Sequence, residues 1–177
     1  LVDFVQQVMK QRTVAEDEKA RAMQKAEKEM YDSGIVAVGD ICNTSDSCVL
    51  KSQSKIRWHN FIEVSGFVDA SADKRFAAIK DIHHQFPAGN STLSPHAPYS
   101  VSQKLFELIN SHTQSKIISI HNQEAQAENE LYQNKTGDFL NLYKNLGIDI
   151  AGFLPTSKTS LQSWLPYFNL QQSIIAV

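Results

Sequence analysis

Two histidines and a glutamate carry the clearest chemical signal in this sequence. His121 closes the apolar run KIISIH at 116–121, and Glu124 follows three residues later in ISIHNQEAQAENE. A histidine that ends a strand aims its ring over the rim of the sheet, where neutral imidazole is a good ligand for zinc or iron. A carboxylate three residues on can reach a water activated by such an ion and move its proton to a leaving group. The same pair also fits a plain structural role, with His121 capping the strand and Glu124 favoured by the helix dipole in a first turn. Glu128 and Glu130 read as solvated positions of the helix that follows. His96 sits in Ser-Pro-His-Ala-Pro-Tyr-Ser, 94–100. Two prolines hold the backbone around it extended, which fixes a side chain for binding. The plainer reading is a proline-bounded turn with a satisfied histidine, and Ser100 or Ser102 then caps the next helix. Asp40 and Asn43 lie near the end of an earlier strand. His59, His83, His84 and His112 fall before a strand or within helices, and read as surface or structural residues.

These residues need a scaffold, and the apolar spacing describes one. Val2, Val5, Val8 and Met9 recur at helical spacing, and Thr13 to Glu16 makes a capping box for a second helix reaching about residue 32. Ala22, Met23, Ala26 and Met30 form its apolar stripe, its charged face reads as solvated, and Gly34 suits its stop. The period then changes. Strands are expected at 35–41, buried on both faces, and at 61–68, 91–95 and 116–121, with a fifth at 173–177. Helices are expected at 45–51, 71–86, 102–112, 124–133, 137–145 and 158–168. Strand and helix alternation of this length implies a parallel sheet covered by helices, either doubly wound or a section of a (β/α)8 barrel. No GxGxxG and no P-loop occurs, so the dinucleotide route has no glycine-rich turn to stand on. In a parallel barrel the active site forms at the strand C-termini, which is where His96 and His121 fall.

Composition narrows the partners. Seventeen basic and nineteen acidic residues give a formal charge of -2, and no basic stripe interleaved with aromatics exists for nucleic acid. No apolar run reaches the ~18 residues that span a bilayer. Cys42 and Cys48 enclose NTSDS, which is neither a CxxC pair nor half of a zinc site; they read as reduced thiols. The start lacks a signal-peptide pattern and an initiator methionine, so a cytoplasmic location and a true N-terminus upstream are expected.

Taken together, PHAPYS at one strand end and IHNQE at the next, about 25 residues on, resemble the amidohydrolase superfamily. The likeness is to its deaminase/chlorohydrolase branch, which includes cytosine, guanine and adenosine-derivative deaminases and triazine chlorohydrolases. It extends to GIVAVGD at 34–40 as an earlier barrel strand and covers most of the chain. It implies a metal-dependent TIM-barrel hydrolase acting on a C–N or C–Cl bond of a small heteroaromatic substrate. It makes His121 a metal ligand, Glu124 the proton shuttle between activated water and leaving amine, and His96 a substrate-side residue. The divalent ion it implies is zinc, with iron as the alternative.

The sequence departs from that family in having no HxH pair and no later strand-end histidine or aspartate. Residues 1–177 are therefore expected to be one partial barrel domain, about strands 2 to 6, excised from a longer protein. With His121 as its lone inherited ligand, the segment is expected to retain no metal and to be inactive in isolation. Open sheet edges lead to an expectation of self-association, as a dimer. Two other readings stand beside this one: a non-catalytic binding or scaffold module, and a metal-free barrel enzyme using His96 and Glu124 as acid and base.

Overall fold

The computed structural model describes residues 15–114, 116–168 and 171–177. The helix expected over residues 2–9 and the Thr13 cap lie outside them. The order of elements is α1 (Glu16–Asp32), β1 (Ala37–Cys42), α2 (Cys48–Gln53), β2 (Arg57–Val64), α3 (Ala72–His83), β3 (Ser91–Pro95), α4 (Gln103–His112), β4 (Ile117–Ile120), α5 (Gln126–Asn134), α6 (Phe139–Asn145), α7 (Ser160–Trp164) and β5 (Ser173–Ala176). Strand and helix thus alternate as the apolar spacing requires. β2 begins and ends four residues earlier than its sequence pattern, because its pairing with β1 starts at Ala37↔Arg57.

All strand pairs are parallel. β1, β2 and β3 form one ladder and β4 with β5 another. Between β3 and β4 the strands are joined by side chains. Thr92 Oγ1 donates to Ile117 O at 2.8 Å, and Ser94 Oγ accepts from Ser119 N at 3.2 Å. At the top of this seam His121 N donates to His96 O at 2.9 Å. The strands therefore lie side by side in chain order, an α/β arrangement with parallel strands that forms no closed barrel among the described residues.

The faces of the strands sort the core. Ile62, Val64, Leu93, Ile118 and Ile120 point towards the helices and meet Leu105, Phe106, Ile109 and Trp164 in the main cluster. Each fully buried side chain of this size contributes about 1.5–3 kcal/mol. A second cluster joins Ala97, Tyr99, Leu131, Tyr132, Phe139, Leu142 and Tyr143 above the strand ends. β1 corrects the expectation of a strand buried on both faces: only Cys42 in it is buried. It is the edge of its ladder, and Gly39 leaves room there for the Phe61 ring, which a Cβ would meet at 3.0 Å.

Three smaller expectations also change. Asp40 lies within β1 and pairs with Lys51, whose ammonium also donates to Asn60 Oδ1 at 2.6 Å. That cluster is a half-buried one between sheet and α2, with Lys51 buried and Asp40 partly exposed. His59 belongs to β2, its Nε2 3.1 Å from Thr92 Oγ1. Glu128 is fully buried. Both cysteines are free, and burial pushes the Cys42 thiol up to about 11. No helix among the described residues is long and apolar enough to cross a membrane.

Candidate metal and acid-base site

Three neighbouring strands deliver three donors to one place. Glu63 is the second-last residue of β2, His96 follows β3, and His121 follows β4. Side chains alternate along a strand, so with Ile62 and Val64 turned to the helices Glu63 turns to the opposite face. His121 Nε2 lies 3.5 Å from Glu63 Oε1, and His96 Nε2 lies 4.0 Å from the same oxygen. One ligand atom from each of the three falls within 4.8 Å of the others, enough for a shared cation. Their side chains are 12, 30 and 24% exposed, sheltered but open to small molecules.

The sequence reading brought His96 and His121 here and missed Glu63. The available signal was that Glu63 is the sole charged residue between 58 and 68, near the end of an apolar strand. The donor set also differs from the expectation of a solitary ligand. Two imidazoles and a carboxylate are the chemistry that zinc and iron take.

The rings are oriented from behind. His96 Nδ1 is 2.6 Å from Ser100 Oγ, which also accepts the Ala97 N–H at 3.2 Å. A partner on one ring nitrogen selects the tautomer that leaves the other free to ligate. Desolvation, followed by the charge of His121, holds the His96 pKa below its ordinary value, which favours the neutral ring. The PHAPY turn is itself fastened by two hydroxyls: Tyr132 donates to Pro98 O at 2.8 Å, and Tyr143 to Tyr99 O at 2.6 Å. Neither tyrosine has a motif around it, so sequence gave no reason to single them out.

Glu124 stands against this trio. Its Oε1 is 3.7 Å from His121 Nδ1, and its Oε2 accepts the Tyr99 hydroxyl at 2.6 Å. Burial, with the Glu124 carboxylate beside it, pushes the Tyr99 phenol far above its ordinary range, so it stays a donor. The Tyr99 ring is set by stacking on Phe139 at 4.2 Å. Glu124 lies in the loop between β4 and α5, not in the helix, because Ala125 is extended and α5 starts at Gln126.

No protein-family model and no curated protein matches the chain. Solved structures do. The aminofutalosine deaminase of Helicobacter pylori superposes with a TM-score of 0.63 and 23% identity, over 77% of this chain and 36% of that one. The chain shares its fold with part of a deaminase. The same enzyme in complex with methylthio-coformycin gives 0.57 and 23%, over 78% of this chain and 34% of that one. The chain thus spans about a third of the length of the deaminase it resembles.

Proposed function

We propose that this chain carries part of the reaction centre of a metal-dependent hydrolytic deaminase acting on an amino group of a heteroaromatic ring. The observation that carries the reading is the convergence of Glu63, His96 and His121, with Glu124 against His121. The fold shared with a deaminase supports the amine over a halide as leaving group.

Glu63, His96 and His121 would hold the divalent cation, zinc by donor type. When bound, it supplies Lewis-acid polarisation and lowers the pKa of water. The residues of this chain do the rest. Glu124 Oε1 accepts a proton from the attacking water and returns it to the amino nitrogen as ammonia leaves. The Tyr99 hydroxyl holds Glu124 Oε2, so the carboxylate presents its other oxygen to the reaction. This reading moves His96 from the substrate side, where the family resemblance put it, into the donor set.

The test is zinc binding by the metal-stripped chain, read as metal content after dialysis. Near-stoichiometric zinc is expected, with an affinity loss of about 10-fold or more in E63A, H96A and H121A. Calorimetry with a coformycin-type ligand is expected to show zinc-dependent binding that E124Q weakens. In isolation the 177 residues are expected to turn over slowly or not at all. Zinc retention no better than in a triple E63A/H96A/H121A variant would overturn the proposal.

A further inference from the structure

The buried carboxylate of Glu128 has no place in the reaction just described. It is fully buried in the first turn of α5. An acidic side chain is almost never buried completely unless something compensates it. Among the described residues no basic side chain pairs with it. Its Oε1 instead accepts the backbone N–H of Gln123 at 3.0 Å. Its Oε2 is buried without a hydrogen bond of full geometry among the described residues, with the Ser160 hydroxyl the first neighbour to favour its charged form.

Gln123 is the point where the loop turns back. Its φ is +57°, a left-handed conformation that costs an L-residue about 1–2 kcal/mol. It stands between His121 and Glu124, and the loop is held on both sides of it. Asn122 N donates to Val177 O at 3.0 Å, and Trp164 Nε1 donates to Asn122 Oδ1 at 2.7 Å. Glu124 is held by Tyr99. Glu128 fastens the remaining residue, the one under strain.

We infer that Glu128 is a positioning residue for the acid–base step: it secures the left-handed turn at Gln123, and that turn brings Glu124 back to face His121. The inference rests on the deaminase reading of Glu124, but the turn can be tested apart from it. Removing the acceptor leaves the Gln123 N–H unsatisfied, lets the turn relax, and swings Glu124 away, while Glu63, His96 and His121 stay where their strands put them.

The test follows two readouts in the purified zinc-loaded protein, hydrogen exchange at the Gln123 amide and the rate of ammonia release. E128A is expected to lose the protection of that amide. Its kcat is expected to fall about 10–100-fold, with KM and zinc content little changed, as displacement of a catalytic group by roughly 1 Å would cause. E128Q keeps an acceptor oxygen and is expected to recover most of both. Glycine adopts positive φ without strain. E128A/Q123G is therefore expected to regain roughly 10-fold in rate over E128A, the share that pre-forming the turn supplies. A role in folding alone would not be rescued at Gln123. Protection and kcat both unchanged in E128A, or no rescue by Q123G, would overturn the inference. If the wild type releases no ammonia, the exchange readout alone decides: unchanged protection of the Gln123 amide in E128A overturns the inference, while the deaminase reading stands or falls on the zinc-binding test.

Discussion

A carboxylate lodged between two imidazoles alters what each can do. Glu63 gives the His96 and His121 rings a common neighbour, and Ser100 and Glu124 face the opposite nitrogens of the two rings. Glu128 shows the same economy from the other side: a charge-bearing group is buried and compensated by neutral neighbours, the Ser160 hydroxyl and nearby backbone amides. Desolvation pushes its carboxyl above the ordinary 4.5, with the Ser160 hydroxyl first and then the amides of Gln123 and Glu124 pulling the other way. A raised acid pKa means that the folded state holds the proton longer than the unfolded state. Its stabilising share is therefore present at low pH and lost as pH rises from about 4.5 through the folded value. E128Q has no such proton, so thermal melts from pH 4 to 8 should show wild type losing stability relative to E128Q as pH rises. Parallel curves would mean that the carboxyl is not desolvated as described. At this scale His96, His121 and Glu124 were legible because a histidine closing an apolar strand, and a carboxylate just after it, break the pattern around them. Glu128 was not legible. A glutamate on a helix looks like any solvated position until the tertiary fold covers that face.

The elements matter here mainly for the lengths and directions they give to the loops. β2, β3 and β4 were readable from their β-branched runs, and their parallel order follows from the helices between them. Their C-termini then fall together without further instruction. The edge character of β1 could not be read, because an apolar strand looks alike whether or not its second face is covered. The smallest helix has a disproportionate effect. α7 has five residues, opened by a capping box in which Thr159 Oγ1 accepts from Gln162 N at 3.2 Å, yet it places Trp164 in the core with its indole on Asn122. W164F keeps most of the apolar volume but deletes that donor. It is expected to cost about 1–3 kcal/mol in urea unfolding, from the lost hydrogen bond and a partly filled cavity. A loss below ~0.5 kcal/mol would show that the loop does not depend on this contact.

At the scale of the molecule, two ladders lie side by side, and among the described residues β1 and β5 are the outer strands, each with one unpaired edge. Val36 is 71% exposed beside β1 and Val177 is 59% exposed beyond β5. Unpaired edges with apolar flanks recruit further strands. Sedimentation at micromolar concentration is expected to show concentration-dependent association of the chain, towards a dimer. A single monomeric species across that range would argue against strand-edge pairing. The expectation of an open arrangement rests on the missing HxH pair and later strand-end residues, not on the strands themselves. Closure depends on how many strands meet, and each strand reads the same in either case.

The seam between β3 and β4 has a mechanical consequence. Among the described residues, the backbone bond that bridges it runs from His121 to His96 themselves, and below it two hydroxyl-bearing side chains do the joining. The residues that would grip an ion are therefore also the rivet between the two halves of the sheet. Whatever draws the two rings together would tighten that joint, so an ion held there would couple its occupancy to the rigidity of the layer. An ion bound there is expected to reach well beyond its own contacts, damping motion along a line that runs the depth of the fold.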